Sequence, residues 1–254
     1  MSLLGGFRSV VIIFLVLFTI QYLLEGLLRT RITLFLMLLG SLGIVLLVLF
    51  ARQLPLSVQR SLSVLPIEVD AAARADAKGS SDWRVQMWQI LVPDIPKYFW
   101  IGKGYTASAT DYYFAAESTR RGLVLDYEIS LVAGDYHNGP LSLLIPFGIW
   151  GVIAFAGFVW AGLKVLYLNY KNSPPELKLI NTFLLSAFIG RLIFFFSVFG
   201  AISLDLTLMA GLVGIGISMN GGVLRKPATA AVAEPAAASP GGSLHPLSLG
   251  RIRT

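Results

Sequence analysis

Five long apolar runs constrain this chain more than any other feature: Phe7 to Leu28, Ile32 to Phe50, Leu141 to Leu166, Leu177 to Ile202 and Leu204 to Met219. A helix that crosses a bilayer needs about 20 mainly apolar residues. In lipid each segment must satisfy its own backbone polar groups, which leaves helices as the solution for runs of this length. The expected fold is therefore an all-α polytopic membrane protein with about five transmembrane helices. Only 13% of the residues are charged, against about 25% in a soluble domain, which places the chain in a membrane. The first run is not expected to be a cleaved signal, because its apolar core exceeds the roughly 7–15 residues of a signal core and no small-residue cleavage site closes it.

A polar stretch from Arg52 to Pro140 separates the second run from the third and holds nine basic and ten acidic residues. The formal charge of +6 must therefore come from elsewhere. It sits at Arg29 and Arg31, at Lys164, Lys171 and Lys178, and at Arg225, Lys226, Arg251 and Arg253. With five spans all three groups fall on one side, which the positive-inside rule makes cytoplasmic, so the long loop is extracytoplasmic. Arg8 is the one dissenting charge, and long loops are exempt from the rule. The expected divisions are residues 1–51 with two spans, 52–140 as a loop with amphipathic helices, 141–222 with three spans, and 223–254 as a cytoplasmic tail. From Pro227 the tail is Ala, Pro, Gly and Ser with scattered charges; such a segment cannot bury a core and is expected to be disordered. The charge distribution leaves no nucleic-acid surface. The absence of cysteine excludes disulfides, thiol nucleophiles and Cys-based metal sites. With only His137 and His245, the latter in the tail, a histidine-rich metal site is excluded as well.

Within the loop, Ser80-Ser81-Asp82 predicts an N-capped helix over Trp83 to Leu91, ending before Pro93. Arg84, Trp88 and Leu91 would share one face, and Trp83, Met87 and Ile90 another. The aromatic cluster Tyr98-Phe99-Trp100 suits a membrane interface, and Gly102-Lys103-Gly104-Tyr105 predicts a turn. A second amphipathic stretch, Leu123 to Val132, leads to Asp135-Tyr136-His137-Asn138 at the mouth of the third run.

Four places in this pattern could carry chemistry. Histidine changes charge near neutral pH, so His137 is a candidate proton acceptor, with Asp135 to fix its tautomer and Asn138 to orient a substrate. The alternative is an interfacial histidine that hydrogen-bonds a helix terminus. Arg84, beside the expected helix start, would suit a diphosphate, since backbone N–H groups and a forked guanidinium both favour phosphate oxygens. The alternative is a solvated face or an ion pair with Asp82 or Glu68. Arg191 lies inside an apolar run, where a charge costs about 2.5–3.5 kcal/mol on insertion scales. It needs a wet cavity or a partner such as Asp205 or Glu25, and a purely structural ion pair is the competing reading. Lys103 could meet an anion, although the spacing and the residue after it do not make a Walker loop.

The order Trp83-Arg84-x-x-x-Trp88, Gly102-Lys103-Gly104-Tyr105, His137-Asn138-Gly139-Pro140-Leu141 and Gly148-Ile149-Trp150-Gly151 resembles the shared domain of O-antigen ligases and Wzy-type polymerases over about Arg52 to Arg191. The resemblance implies a GT-C-like glycosyltransferase of the bacterial inner membrane, with its large loop in the periplasm. Such an enzyme moves a glycan from an undecaprenyl-diphosphate carrier to an acceptor sugar hydroxyl during lipopolysaccharide or other surface polysaccharide synthesis. It implies no nucleotide sugar, no cofactor and, in the ligases, no metal. His137 would be the catalytic base or acceptor-orienting group, Arg84 the diphosphate ligand, and Asn138, Lys103 and Arg191 further substrate contacts. Family members usually have ten or more spans, so this chain resembles their C-terminal half, and a separate N-terminal-half polypeptide is an expected partner. The competing reading is a non-catalytic membrane subunit or glycolipid-binding scaffold.

Overall fold

The computed structural model describes residues 3–63, 65–104, 107–122 and 128–225, with side chains from Ile12 onward except at Ser80 and Glu128. These residues are helical or irregular, with no strand among them. Contacts group Met1–Leu224 into one unit and Arg225–Thr254 into another. The second unit is described only at Arg225, so the expected tail from Lys226 on lies outside the described residues, as do Tyr105 and the 123–127 part of the second amphipathic stretch.

Ten α-helices follow along the described chain: α1 (Leu3–Leu24), α2 (Arg31–Leu49), α3 (Leu56–Leu62), α4 (Ala71–Leu91), α5 (Ile95–Tyr98), α6 (Ala109–Arg120), α7 (Glu128–Ala133), α8 (Gly139–Lys171), α9 (Lys178–Ser197) and α10 (Ile202–Met219). Four of them are long and apolar enough to cross a bilayer: α2, α8, α9 with the short turn that leads into it, and α10. The first expected run is helical through α1, but its described apolar stretch, Ile12–Leu24, is shorter than a span. The helix stops before Leu28 because Gly26 takes a left-handed conformation, φ 70°.

α8, α9 and α10 pack on one another, and α1 lies along α9. Phe188, Phe195, Leu166 and Met209 form their fully buried centre. Gly190 of α9 faces the Leu17 backbone closely enough that an added Cβ would stand 3.6 Å from its Cα. Tyr170 Oη donates to the Leu24 carbonyl at 2.8 Å and ties the end of α1 to α8. By contrast α2 has no buried residue.

At the Lys171 end of the bundle, neutral amides join the helices. Asn181 Nδ2 donates to Ser173 Oγ at 2.8 Å and to Asn220 Oδ1 at 2.9 Å. Asn220 Nδ2 donates back to Asn181 Oδ1 and to the Gly216 carbonyl. Asn169 Oδ1 accepts the Leu224 N–H at 2.8 Å.

The loop helix differs from its expected form at its start. α4 begins at Ala71, capped by Asp70, whose carboxylate accepts the Ala72 N–H at 2.7 Å. The alanine-rich segment Ala71 to Lys78 has enough helix propensity to carry the helix through Gly79-Ser80-Ser81, so those serines are interior residues and not a cap. The expected end at Leu91, before Pro93, is where the α-helix ends. The faces are also redistributed. Met87 and Leu91 are buried with Tyr136, Leu141 and Ile145, Trp83 and Trp88 pack partly on them, and Ile90 is exposed. Burying a side chain such as Met87 contributes roughly 1.5–3 kcal/mol, which docks α4 on the start of α8.

α8 is broken near that docking site. Pro146 cannot donate to the helix ladder, and Gly148, at φ 65° and ψ −166°, leaves helical geometry altogether. The freed groups find partners outside the helix: Lys103 N–H donates to the Ile145 carbonyl at 2.7 Å, Gly104 N–H to the Pro146 carbonyl at 2.9 Å, and Ile149 N–H to the Phe99 carbonyl at 2.7 Å. The Gly102-Lys103-Gly104 segment thus acts as a patch on the break. A Cβ on Gly102 would lie 2.4 Å from the Pro146 carbonyl oxygen, so the contact needs glycine.

Candidate active site at the His137 turn

The turn that enters α8 is tied to three elements through its backbone. Trp88 of α4 donates from Nε1 to the Tyr136 carbonyl at 2.8 Å. Ser142, fully buried in α8, accepts the Tyr136 N–H at its Oγ and donates to the Gly200 carbonyl at 3.1 Å. Asp135 N–H donates to the Ser130 carbonyl of α7. Between these ties His137 takes φ 50°, the only positive φ of a described residue other than glycine. Such a backbone conformation persists only where its surroundings over-determine it.

The imidazole is held on several sides. Its Nδ1 lies 3.1 Å from Asp135 Oδ1. The Phe199 ring is tilted against it with centroids 4.4 Å apart, and Trp83 meets it edge-on at 5.1 Å. Its side chain is 17% exposed, enough for one edge to meet a ligand. With Nδ1 as the donor to Asp135, Nε2 is the free acceptor, the tautomer expected of a histidine oriented by a carboxylate.

Asn138 caps α8: its Oδ1 accepts the Leu141 N–H at 3.1 Å. That use leaves only its Nδ2 side for a ligand.

Arg84 lies well inside α4, so the expected contribution of a helix N-terminus is absent, and it forms no ion pair with Asp82 or Glu68, the latter pairing with Arg52. Its guanidinium stands 5.6 Å from the centroid of Trp83, the ring that also touches His137. Burial and the nearby charge of Arg60 push the Arg84 guanidinium below its ordinary range. The Nε of Arg84 and the Nε of Arg60 are both buried with no hydrogen-bond partner among the described residues. Arg60 also pairs with Asp76 at 2.5 Å and lines a cavity of about 290 Å³ between α3 and α4. A half-buried guanidinium with an unmatched Nε and a second cation within electrostatic reach is an environment that an anion would relieve. In the sequence Arg60 is one of the loop's nine cations, on a segment of mixed polarity that carries no local signal of a site, and its nearness to Arg84 is a tertiary fact.

Arg191 has the expected partner. It forms an ion pair with Asp205 through Nε and Oδ1, a charge contact outside aligned hydrogen-bond geometry. Glu25 instead accepts from Gln21 Nε2. Arg191 is therefore already matched, unlike Arg84. Lys103 lines a different cavity of about 230 Å³, with Gly104, Asp111, Leu131, Gly134 and Tyr136. His137 and Arg84 thus both meet Trp83, Arg60 lies within electrostatic reach of Arg84, and Lys103 opens onto its own recess.

No curated protein and no solved structure matches this chain. The sequence pattern of one family does, under the description O-antigen ligase, and it matches residues 2–156, which include α4, the patched break of α8 and the whole His137 turn. With more than half its length matched and its candidate site inside the matched part, the chain belongs to the O-antigen ligase family, and with that to membrane-borne polysaccharide synthesis.

Proposed function

We propose that this protein transfers a glycan from an undecaprenyl-diphosphate carrier to an acceptor sugar hydroxyl, in the GT-C-like manner its family suggests. His137 takes the hydroxyl proton at Nε2 while the acceptor oxygen bonds to the anomeric carbon. The bond from that carbon to the phosphate oxygen breaks, and the lipid diphosphate leaves with the bonding electron pair. Arg84 and Arg60 neutralise the charge that develops on the leaving group; matching such charge with fixed donors is commonly the largest single contribution to catalysis. Asp135 holds the imidazole with Nδ1 protonated. The observation that carries this reading is Trp83, which touches a carboxylate-oriented histidine with one edge and an incompletely matched arginine with its face.

On this reading the loop of residues 52–140 faces the periplasm and the lysine-rich connections face the cytoplasm. Phosphatase-type reporters fused after Ala109 and after Gly250 should be active at the first position only. A separate N-terminal-half polypeptide is the proposed partner, and α2, with no buried residue, has most of its surface open to it. Efficient turnover by the purified chain in vesicles would remove the partner from the scheme.

The central test is the profile of lipid-linked glycans in a strain that lacks the gene. The wild-type chain should clear the accumulated donor and the His137→Ala chain, at equal protein level, should not. Clearance by His137→Ala would reject the catalytic reading in favour of a glycolipid-binding scaffold.

A further inference from the structure

We infer that Arg191 and Asp205 hold no substrate but act as positioning residues, setting the orientation of the His137 imidazole through the turn that joins α9 to α10. The inference rests on the reading of His137 as the proton acceptor. Asp205 is fully buried and the Arg191 side chain nearly so. A buried ion pair is weak support for stability, because the cost of desolvating both charges offsets their attraction and an apolar pair of similar volume commonly packs as well. Its retention in this bundle therefore calls for a second role.

That role is visible in what the carboxylate touches next. While Oδ1 of Asp205 meets Arg191, its Oδ2 accepts the Ala201 N–H at 2.8 Å, so one side chain fixes both α9 and the turn after it. The turn grips the His137 segment at three points. The Phe199 ring packs, tilted, against the imidazole. The Gly200 carbonyl accepts from Ser142 Oγ, which itself accepts the N–H of the residue before His137. The Gly200 and Gly139 backbones are in direct contact, since a Cβ on Gly200 would lie 2.4 Å from the Gly139 Cα. A histidine at φ 50° needs such bracing.

The chain has only two histidines, His137 and His245, which allows the orientation of His137 to be read apart from activity. Full-length protein in membranes is treated with diethyl pyrocarbonate, and carbethoxylation of each histidine is followed by peptide-resolved mass spectrometry, with His245 as the internal standard. Three chains are compared with wild type: Phe199→Leu, which leaves the ion pair intact, Asp205→Asn, and the apolar double replacement Arg191→Met with Asp205→Leu. The double replacement should insert and melt much like wild type, yet change the relative labelling rate of His137 by about twofold to tenfold, the range expected when an imidazole leaves its rotamer. Phe199→Leu should change it in the same direction. Wild-type labelling of His137 in a folded double replacement would overturn the inference. If that chain fails to insert, wild-type labelling in Phe199→Leu would overturn it equally. Donor clearance by His137→Ala would remove the catalytic reading while leaving the labelling result to stand, so the two failures are distinguishable.

Discussion

At the Lys171 end of the bundle, Asn169, Asn181 and Asn220 exchange hydrogen bonds with one another, with Ser173 and with the backbone, and none of their side-chain atoms is among the buried unmatched groups. At the His137 end charged side chains join the neutral ones, and the Nε of Arg60 and the Nε of Arg84 are buried without partners among the described residues. Both ends bury polar atoms among apolar helices, so burial alone does not distinguish them. Satisfaction does. A fully matched neutral network rigidifies a core, and here it fixes where α8, α9 and α10 finish. An unmatched buried donor costs about 1–3 kcal/mol and more for a charged group, which is tolerable where a ligand supplies the missing acceptor. The contrast is between an end whose polar atoms are spent on the fold and an end that, on the proposed function, keeps donors for a ligand.

The largest expected effect is at the histidine. Replacing His137 by Ala removes the proton acceptor, and general base catalysis is worth roughly 10²–10⁴-fold. Glycan transfer in the complementation assay should fall by that order while insertion stays normal. Should His137→Ala transfer normally, the two ends would differ only in charge and not in purpose.

Next come the arginines. A charge-assisted hydrogen bond is worth about 1.5–3 kcal/mol, so Arg84→Ala should lower use of the lipid-diphosphate donor about tenfold to hundredfold. Arg84→Lys, which keeps the charge but loses the fork, should fall between Ala and wild type. Arg60→Ala should show a similar loss, and the double variant less than the product of the two, because residues that share one ligand are not additive. Strict additivity would mean that the two cations do not grip one diphosphate.

The other end should respond in stability and not in chemistry. Asn181→Ala deletes donors to Ser173 and Asn220 and should cost about 1–2 kcal/mol, seen as earlier unfolding in detergent, with transfer per folded molecule unchanged. A selective loss of transfer at normal stability would erase the contrast. Smallest of all, removal of the chain beyond Pro227 should change neither insertion nor complementation, because that composition cannot build a core. Loss of activity at normal protein level would expose a partner-binding segment in the tail.

Sequence period and composition made the apolar runs legible, because a spanning helix declares itself through about 20 consecutive apolar residues whatever it packs against. They also marked His137, since a histidine with an aspartate two residues before it and an apolar run four residues after it is a local pattern. The pairing of Arg191 with Asp205 was legible as one of two choices, because an unpaired charge in an apolar run must find a counter-charge. The start of α4 was misread for a local reason: serines and an aspartate make good caps, but the preceding alanines favour a continuous helix and the cap moved back to Asp70.

The apolar runs, the basic connections and the motif order that marks the family were determined by the sequence alone, because each depends on residues near one another along the chain. Tertiary structure alone decided that Arg60 comes within electrostatic reach of Arg84, that Trp83 meets His137 as well as its chain neighbour Arg84, and that the Gly102-Lys103-Gly104 segment repairs the break at Pro146 and Gly148. It also decided that the turn after α9, from a separate run, closes on His137 through Phe199 and Gly200. The physical reason is that these contacts join segments from 24 to 62 residues apart, and their partners are selected by which apolar faces must be buried together, a choice that no local pattern encodes.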